Sequence, residues 1–190
     1  MIRWGFAAGL LPLAACAGNP PPPPAPPPAP PPLAAADANF ITMATQGGLA
    51  EIAEAQVAQK QSHNPAILHY AQMMITDHTA ANNQLAQIAA KKGVTPPSSP
   101  SDAQTQEANA LSADTGRKFN HDYIADQISG HTLQVQLFQT EAASGSDPDL
   151  KAFAQETEPT VQHHLDMANA LGSKSRGHAM GHHARHHKAS

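Results

Sequence analysis

Apolar residues recur every three to four positions through the middle of the chain, the spacing of one buried helix face. Four such stripes can be traced. The first holds Phe40, Ala44, Gly47, Glu51, Ala55 and Ala58. The second holds Leu68, Ala71, Ile75, His78, Ala81, Leu85 and Ile88. The third holds Asn120, Ile124, Gln127, His131, Val135, Phe138 and Ala142. The fourth holds Leu150, Phe153, Thr157, Val161, His164, Ala168 and Leu171. Breakers divide them at helix boundaries. Asn64-Pro65 and Asp147-Pro148 each pair a capping side chain with a proline suited to the first helical turn. Gly93, Pro96-Pro97 and Pro100 end the second helix. Pro159 falls inside the fourth helix and predicts a kink there, because its ring nitrogen has no proton to donate to the Gln155 carbonyl.

The two proline-started helices begin alike. Asn64-Pro65-Ala66-Ile67-Leu68-His69-Tyr70-Ala71-Gln72 matches Asp147-Pro148-Asp149-Leu150-Lys151-Ala152-Phe153-Ala154-Gln155 in cap, proline, aromatic and Ala-Gln. Two similar helical hairpins predict an all-α, four-helix bundle over 37–172. The connection from Val94 to about Ala113 is long enough to run the length of the bundle, with a short helix near Asp102 to Leu111. A crossover between paired hairpins gives the ferritin-like topology. An up-down bundle with a surface excursion is the alternative.

Every stripe carries one ionisable residue: Glu51, His78, His131 and His164. Counted from the hairpin turns at 1.5 Å per residue, they stand roughly 18 to 27 Å from the hairpin ends. They therefore share a level in the bundle. One carboxylate and three imidazoles make a first shell for a single transition-metal ion, Zn, Fe, Mn or Cu. The same groups can instead form a hydrogen-bonded network that sets helix register, and haem or another cofactor stays open. Ferritin di-iron chemistry needs Glu-x-x-His pairs. Ile75, Ile128 and Val161 stand where those carboxylates belong. Asp77 points about 100° away from His78, which makes it the weaker candidate. Glu141 belongs to another layer. His63, His69, His121 and His163 read as surface histidines, and Met73, Met74 and Met167 as core filling.

Composition explains the rest of the 190 residues. Eleven of the 18 prolines fall between Pro20 and Pro32. Such a run adopts polyproline II at about 3.1 Å per residue and cannot pack a core, so it reads as a spacer. Ahead of it, Arg3, the apolar stretch Trp4 to Leu13 and the small residues Ala14 and Ala15 read as an export signal over 1–15. Leu13-Ala14-Ala15-Cys16 resembles the bacterial lipobox, which implies acylation of Cys16, the only cysteine. Ala17 after it leans towards the outer membrane. Residues 16–36 are then a lipidated cysteine and its spacer, an anchor into the membrane facing the periplasm.

All 15 acidic residues lie in the body against six basic ones, while the tail from Ser173 has four basic residues and no acidic one. His178, His182, His183, His186 and His187 make 173–190 a disordered, His-rich tail and a secondary, loose metal-binding tract. The overall net charge of −4 argues against nucleic acid as a partner. A lone cysteine excludes an internal disulfide. No phosphate-binding loop or serine nucleophile motif points to catalysis. Protein partners and oligomeric state are not legible.

Four segments carry a family resemblance: Gln46-Gly47-Gly48-Leu49-Ala50-Glu51, Met74-Ile75-Thr76-Asp77-His78-Thr79, Phe138-Gln139-Thr140-Glu141-Ala142-Ala143-Ser144-Gly145, and Pro159-Thr160-Val161-Gln162-His163-His164-Leu165. They resemble the bacterial "domain of unknown function 4142" family, a ferritin-like group of exported proteins. The resemblance implies the ferritin-like fold and brings no established activity. Two functions stay open: a membrane-anchored periplasmic metal-binding lipoprotein, or a structural or interaction module of the envelope with no bound metal.

Overall fold

The computed structural model describes residues 32–186, with side chains through Lys174. The expected signal segment, Cys16 and most of the proline spacer lie outside the described residues. So do the side chains of the five tail histidines. Five helices and no strand are found among the described residues: α1 (Ala35–Gln61), α2 (Pro65–Lys91), α3 (Asp102–Ser112), α4 (Gly116–Ser144) and α5 (Pro148–His186). The fold is all-α. None of these helices is long and apolar enough to cross a membrane. The backbone of α5 stays helical past Gly172, where the sequence places the end of the bundle.

Local chemistry sets the boundaries. Asn64 caps α2 by accepting from the Ala66 backbone N–H at 3.0 Å, with Pro65 following. Asp147 does the same for α5, accepting from Asp149 and Leu150. The nine-residue sequence repeat is therefore a repeat of helix starts, and its aromatic members Tyr70 and Phe153 are both buried. Gly93, at φ +71°, turns the chain out of α2. Ser101 and Gln104 form a reciprocal capping box that starts α3.

The helices α1 and α2 pack together, as do α4 and α5, and α1 also packs on α4 and α2 on α5. Polar contacts fix which ends meet. Asp37 at the start of α1 accepts from the backbone N–H groups of Ser146 and Asp147 between α4 and α5. Lys92 at the end of α2 pairs with Asp147 and Asp149 at the start of α5. At the opposite end, Ser62 after α1 donates to Asn120 of α4. The connection containing α3 therefore carries the chain from one end of the bundle to the other, and α3 lies against α1 and α4.

Two apolar clusters fill the interior. One gathers Phe40, Ile41, Leu85, Phe138, Leu150 and Phe153. The other gathers Tyr70, Met74, Phe119, Tyr123 and Ile124. Between them Glu51, His78, Gln127, His131 and His164 are buried. The first, third and fourth stripes match the buried positions closely. The second is rotated: Ile67, Tyr70, Ala71 and Met74 are the buried residues, while Leu68 and Ile75 are only partly covered.

Candidate metal centre

His78 on α2, His131 on α4 and His164 on α5 meet between the two apolar clusters. Their ring centroids are 5.6, 5.3 and 5.4 Å apart in the three pairings. One nitrogen from each ring lies within 4.8 Å of the other two. All three side chains are buried, His131 at 0% exposure. Each ring has a buried nitrogen with no hydrogen-bond partner: Nε2 of His78, Nε2 of His131 and Nδ1 of His164. Buried polar atoms are satisfied in most proteins, and leaving one bare costs about 1–3 kcal/mol. Three rings meet here, each with a bare buried nitrogen.

The outer nitrogens show which lone pairs are free. His131 Nδ1 lies 2.9 Å from the Gln127 carbonyl oxygen, which can only accept, so Nδ1 carries the proton. His164 Nε2 likewise donates to Asp77 Oδ2 at 3.0 Å. In both rings the partnerless nitrogen is then the one with its lone pair available. A carbonyl and a carboxylate holding ligand imidazoles from behind is the usual outer support of a metal site.

Electrostatics keep the rings neutral. Burial, and then the two neighbouring imidazoles, lower His78 well below the ordinary histidine range. Burial lowers His131 to about 4, against the opposing pull of the Gln127 carbonyl. Burial also lowers His164 to about 4, against Asp77. Neutral imidazole is the metal-binding form.

The fourth expected ligand, Glu51, stands beside this triangle. Its Oε1 is 3.4 Å from His131 Nδ1, the nitrogen already turned to Gln127, and its Oε2 has no partner. Burial pushes the Glu51 carboxyl up to about 8, so near neutral pH this contact joins two uncharged groups. Glu54, also raised to about 8 by burial and then by Glu51, accepts from Gln127 Nε2 at 2.8 Å. Glu141 lies near the end of α4 beside Gly145, away from the triad. His63, His69, His121 and His163 are exposed. Met74 is buried in the second apolar cluster, with Met73 and Met167 packed against it.

The sequence undervalues two residues here. Asp77 points away from the core direction of its own helix. That angle turns it onto the neighbouring α5, where His164 is. Glu54 is one turn from Glu51, and that spacing was the available signal. Removing the support behind His164 should be costly: Asp77→Asn is expected to weaken metal affinity about 10- to 100-fold with the fold intact. Isothermal titration against circular dichroism checks it.

The buried groups also fix how metal-free stability responds to pH. Glu51 and Glu54 are raised when folded, so their contribution is present at low pH and is lost as pH rises through about 8. The histidines are lowered, so theirs is present above 6.5 and is lost as pH falls through about 4. Above pH 6.5 the histidines are neutral in both states and only the carboxyls act, so the urea midpoint in EDTA should fall between pH 6.5 and 8. A steady rise to pH 8 contradicts the burial of the two carboxyls.

Comparison with known proteins supplies fold and family. No curated protein sequence matches the chain. A crystal structure of a DUF305 fragment from Deinococcus radiodurans is similar to it, with a TM-score of 0.65 and 15% identity, covering 75% of this chain and 99% of that one. At that identity the likeness shows the fold. The family described as "Domain of unknown function (DUF4142)" matches residues 22–171. The match takes in α1 to α4, the part of α5 that carries His164, and all three histidines of the centre. On that match, the chain belongs to the DUF4142 family.

Proposed function

We propose that this protein is a lipoprotein of the bacterial envelope whose ferritin-like four-helix bundle holds one transition-metal ion through His78, His131 and His164. The observation that carries this is the set of three buried imidazoles, each offering a nitrogen within 4.8 Å of the others and each with a nitrogen that has no partner. An all-nitrogen set favours Zn, Cu or Fe over Mn, which prefers oxygen. Glu51 supplies a carboxyl beside the ion rather than a fourth ligand. The end-to-end connection through α3 supports the ferritin-like crossover over an up-down path. Cys16, placed directly after Leu13-Ala14-Ala15, supports the lipid anchor, and Ala17 the outer membrane. The proline run then sets the bundle off into the periplasm.

A structural module without metal is the second reading, and the Glu54–Gln127 hydrogen bond favours it, because it ties α1 to α4 across the layer without an ion. Elemental analysis separates the two. The chain, with its five tail histidines replaced by glutamine and purified without chelator, should hold one metal ion, and EDTA should lower its melting temperature. No stoichiometric metal and no EDTA effect would leave the structural module standing.

A further inference from the structure

An ion bound by side chains this deeply buried needs a way in. A cleft of about 410 Å³ opens between α1, α3 and α4. Its lining includes Glu51, Glu54, Glu107 and Asp126, and no lysine, arginine or histidine. Glu107 and Asp126 are exposed, while Glu51 and Glu54 are buried. The acidic side chains thus run from the solvent side of the cleft to its depth.

Acidic side chains alone mean little on a body this acidic. Glu51 is the separate observation. It is 5% exposed, lines the cleft, and has an oxygen with no partner. Its other oxygen touches the His131 ring at 3.4 Å. The α4 backbone leaves it room: a Cβ on Gly130 would come within 2.8 Å of that oxygen. One side chain therefore borders both the cleft and the triad, yet meets His131 on the nitrogen that cannot bind metal while it donates to Gln127. That is the position of a transfer group, beside the centre and outside its coordination sphere.

We infer that the α1–α3–α4 cleft admits the metal cation and that Glu51 passes it from the cleft to the histidines. The inference rests on the metal-binding reading above. Exposed carboxylates with no facing cation draw a hydrated divalent ion towards the cleft. The Glu51 carboxyl gives its proton to water as it replaces a water on the ion, and the imidazoles in turn displace the carboxylate, which takes a proton back from water. The Glu51 O–H bond is the one bond in the protein that breaks, and it forms again when the ion moves on.

Cobalt(II) is a suitable probe, because a buried imidazole set gives it a visible absorption that can be followed by stopped flow. The chain is used at full length with the five tail histidines replaced by glutamine. Glu51→Gln should slow cobalt loading at least about 10-fold while the final stoichiometry stays at one ion. The exposed pair Glu107→Gln and Asp126→Asn, which does not threaten folding, should slow loading and flatten its dependence on ionic strength. Unchanged loading in both variants overturns the route. So does loss of stoichiometric cobalt in Glu51→Gln, which would make Glu51 a ligand. Asp77→Asn slowing the loading while Glu51→Gln does not would place the way in between α2 and α5, again overturning it. If the parent chain takes up no cobalt, the metal-binding reading itself fails.

Discussion

His131→Ala is expected to abolish stabilisation by metal. An ion that binds only the folded chain adds about 2.7 kcal/mol at a free concentration one hundred times its dissociation constant. For a body of this size that raises the melting temperature by about 5–15 °C. His131 offers one of the three clustered nitrogens and is fully buried, so the two remaining imidazoles have no close substitute for it. The variant should melt at the same temperature with metal and with EDTA. The difference between the two conditions is the decisive quantity, because removing a buried ring also changes metal-free stability. A variant that keeps the full metal-dependent shift would exclude His131 as a ligand.

Phe153→Ala should be the most damaging substitution away from the centre. Phe153 is 2% exposed and sits against Phe40 at 6.2 Å and Phe138 at 5.9 Å between ring centroids. Truncating such a ring removes its burial and leaves a cavity, at about 3–5 kcal/mol. Part of that is edge-on aromatic contact that an aliphatic side chain would not restore. His164 lies roughly 16 Å further along the same helix, beyond the range where substitutions usually couple. Urea unfolding should show the loss at unchanged metal stoichiometry and an unchanged metal-induced shift. A loss below about 1 kcal/mol would contradict the packing of this cluster.

The two predictions mark how far the sequence could be read. Helical periodicity placed Phe40, Phe138 and Phe153 on facing stripes, and the structure joins them in one cluster. The same periodicity isolated His78, His131 and His164 as the interruptions, and counting residues from the turns put them at one level. What periodicity does not fix is the rotation of each helix about its axis, which depends on both neighbours. The second helix is turned so that Tyr70 and Met74 face inward in place of Leu68 and Ile75. The same one-dimensional limit hid Asp77, whose direction made sense only once α5 lay beside α2. Glu51 was placed at the right height, but its side chain reaches the back of His131, a detail of rotamer and backbone approach that spacing cannot carry.

X-ray absorption at the metal edge of the loaded protein, with the tail histidines replaced, tests the central claim most directly. The account predicts three imidazole nitrogens at about 2.0–2.1 Å for zinc, with the multiple-scattering pattern of histidine rings, and loss of one ring in His131→Ala. A shell dominated by oxygen, or one with fewer than three imidazoles in the parent chain, would contradict it.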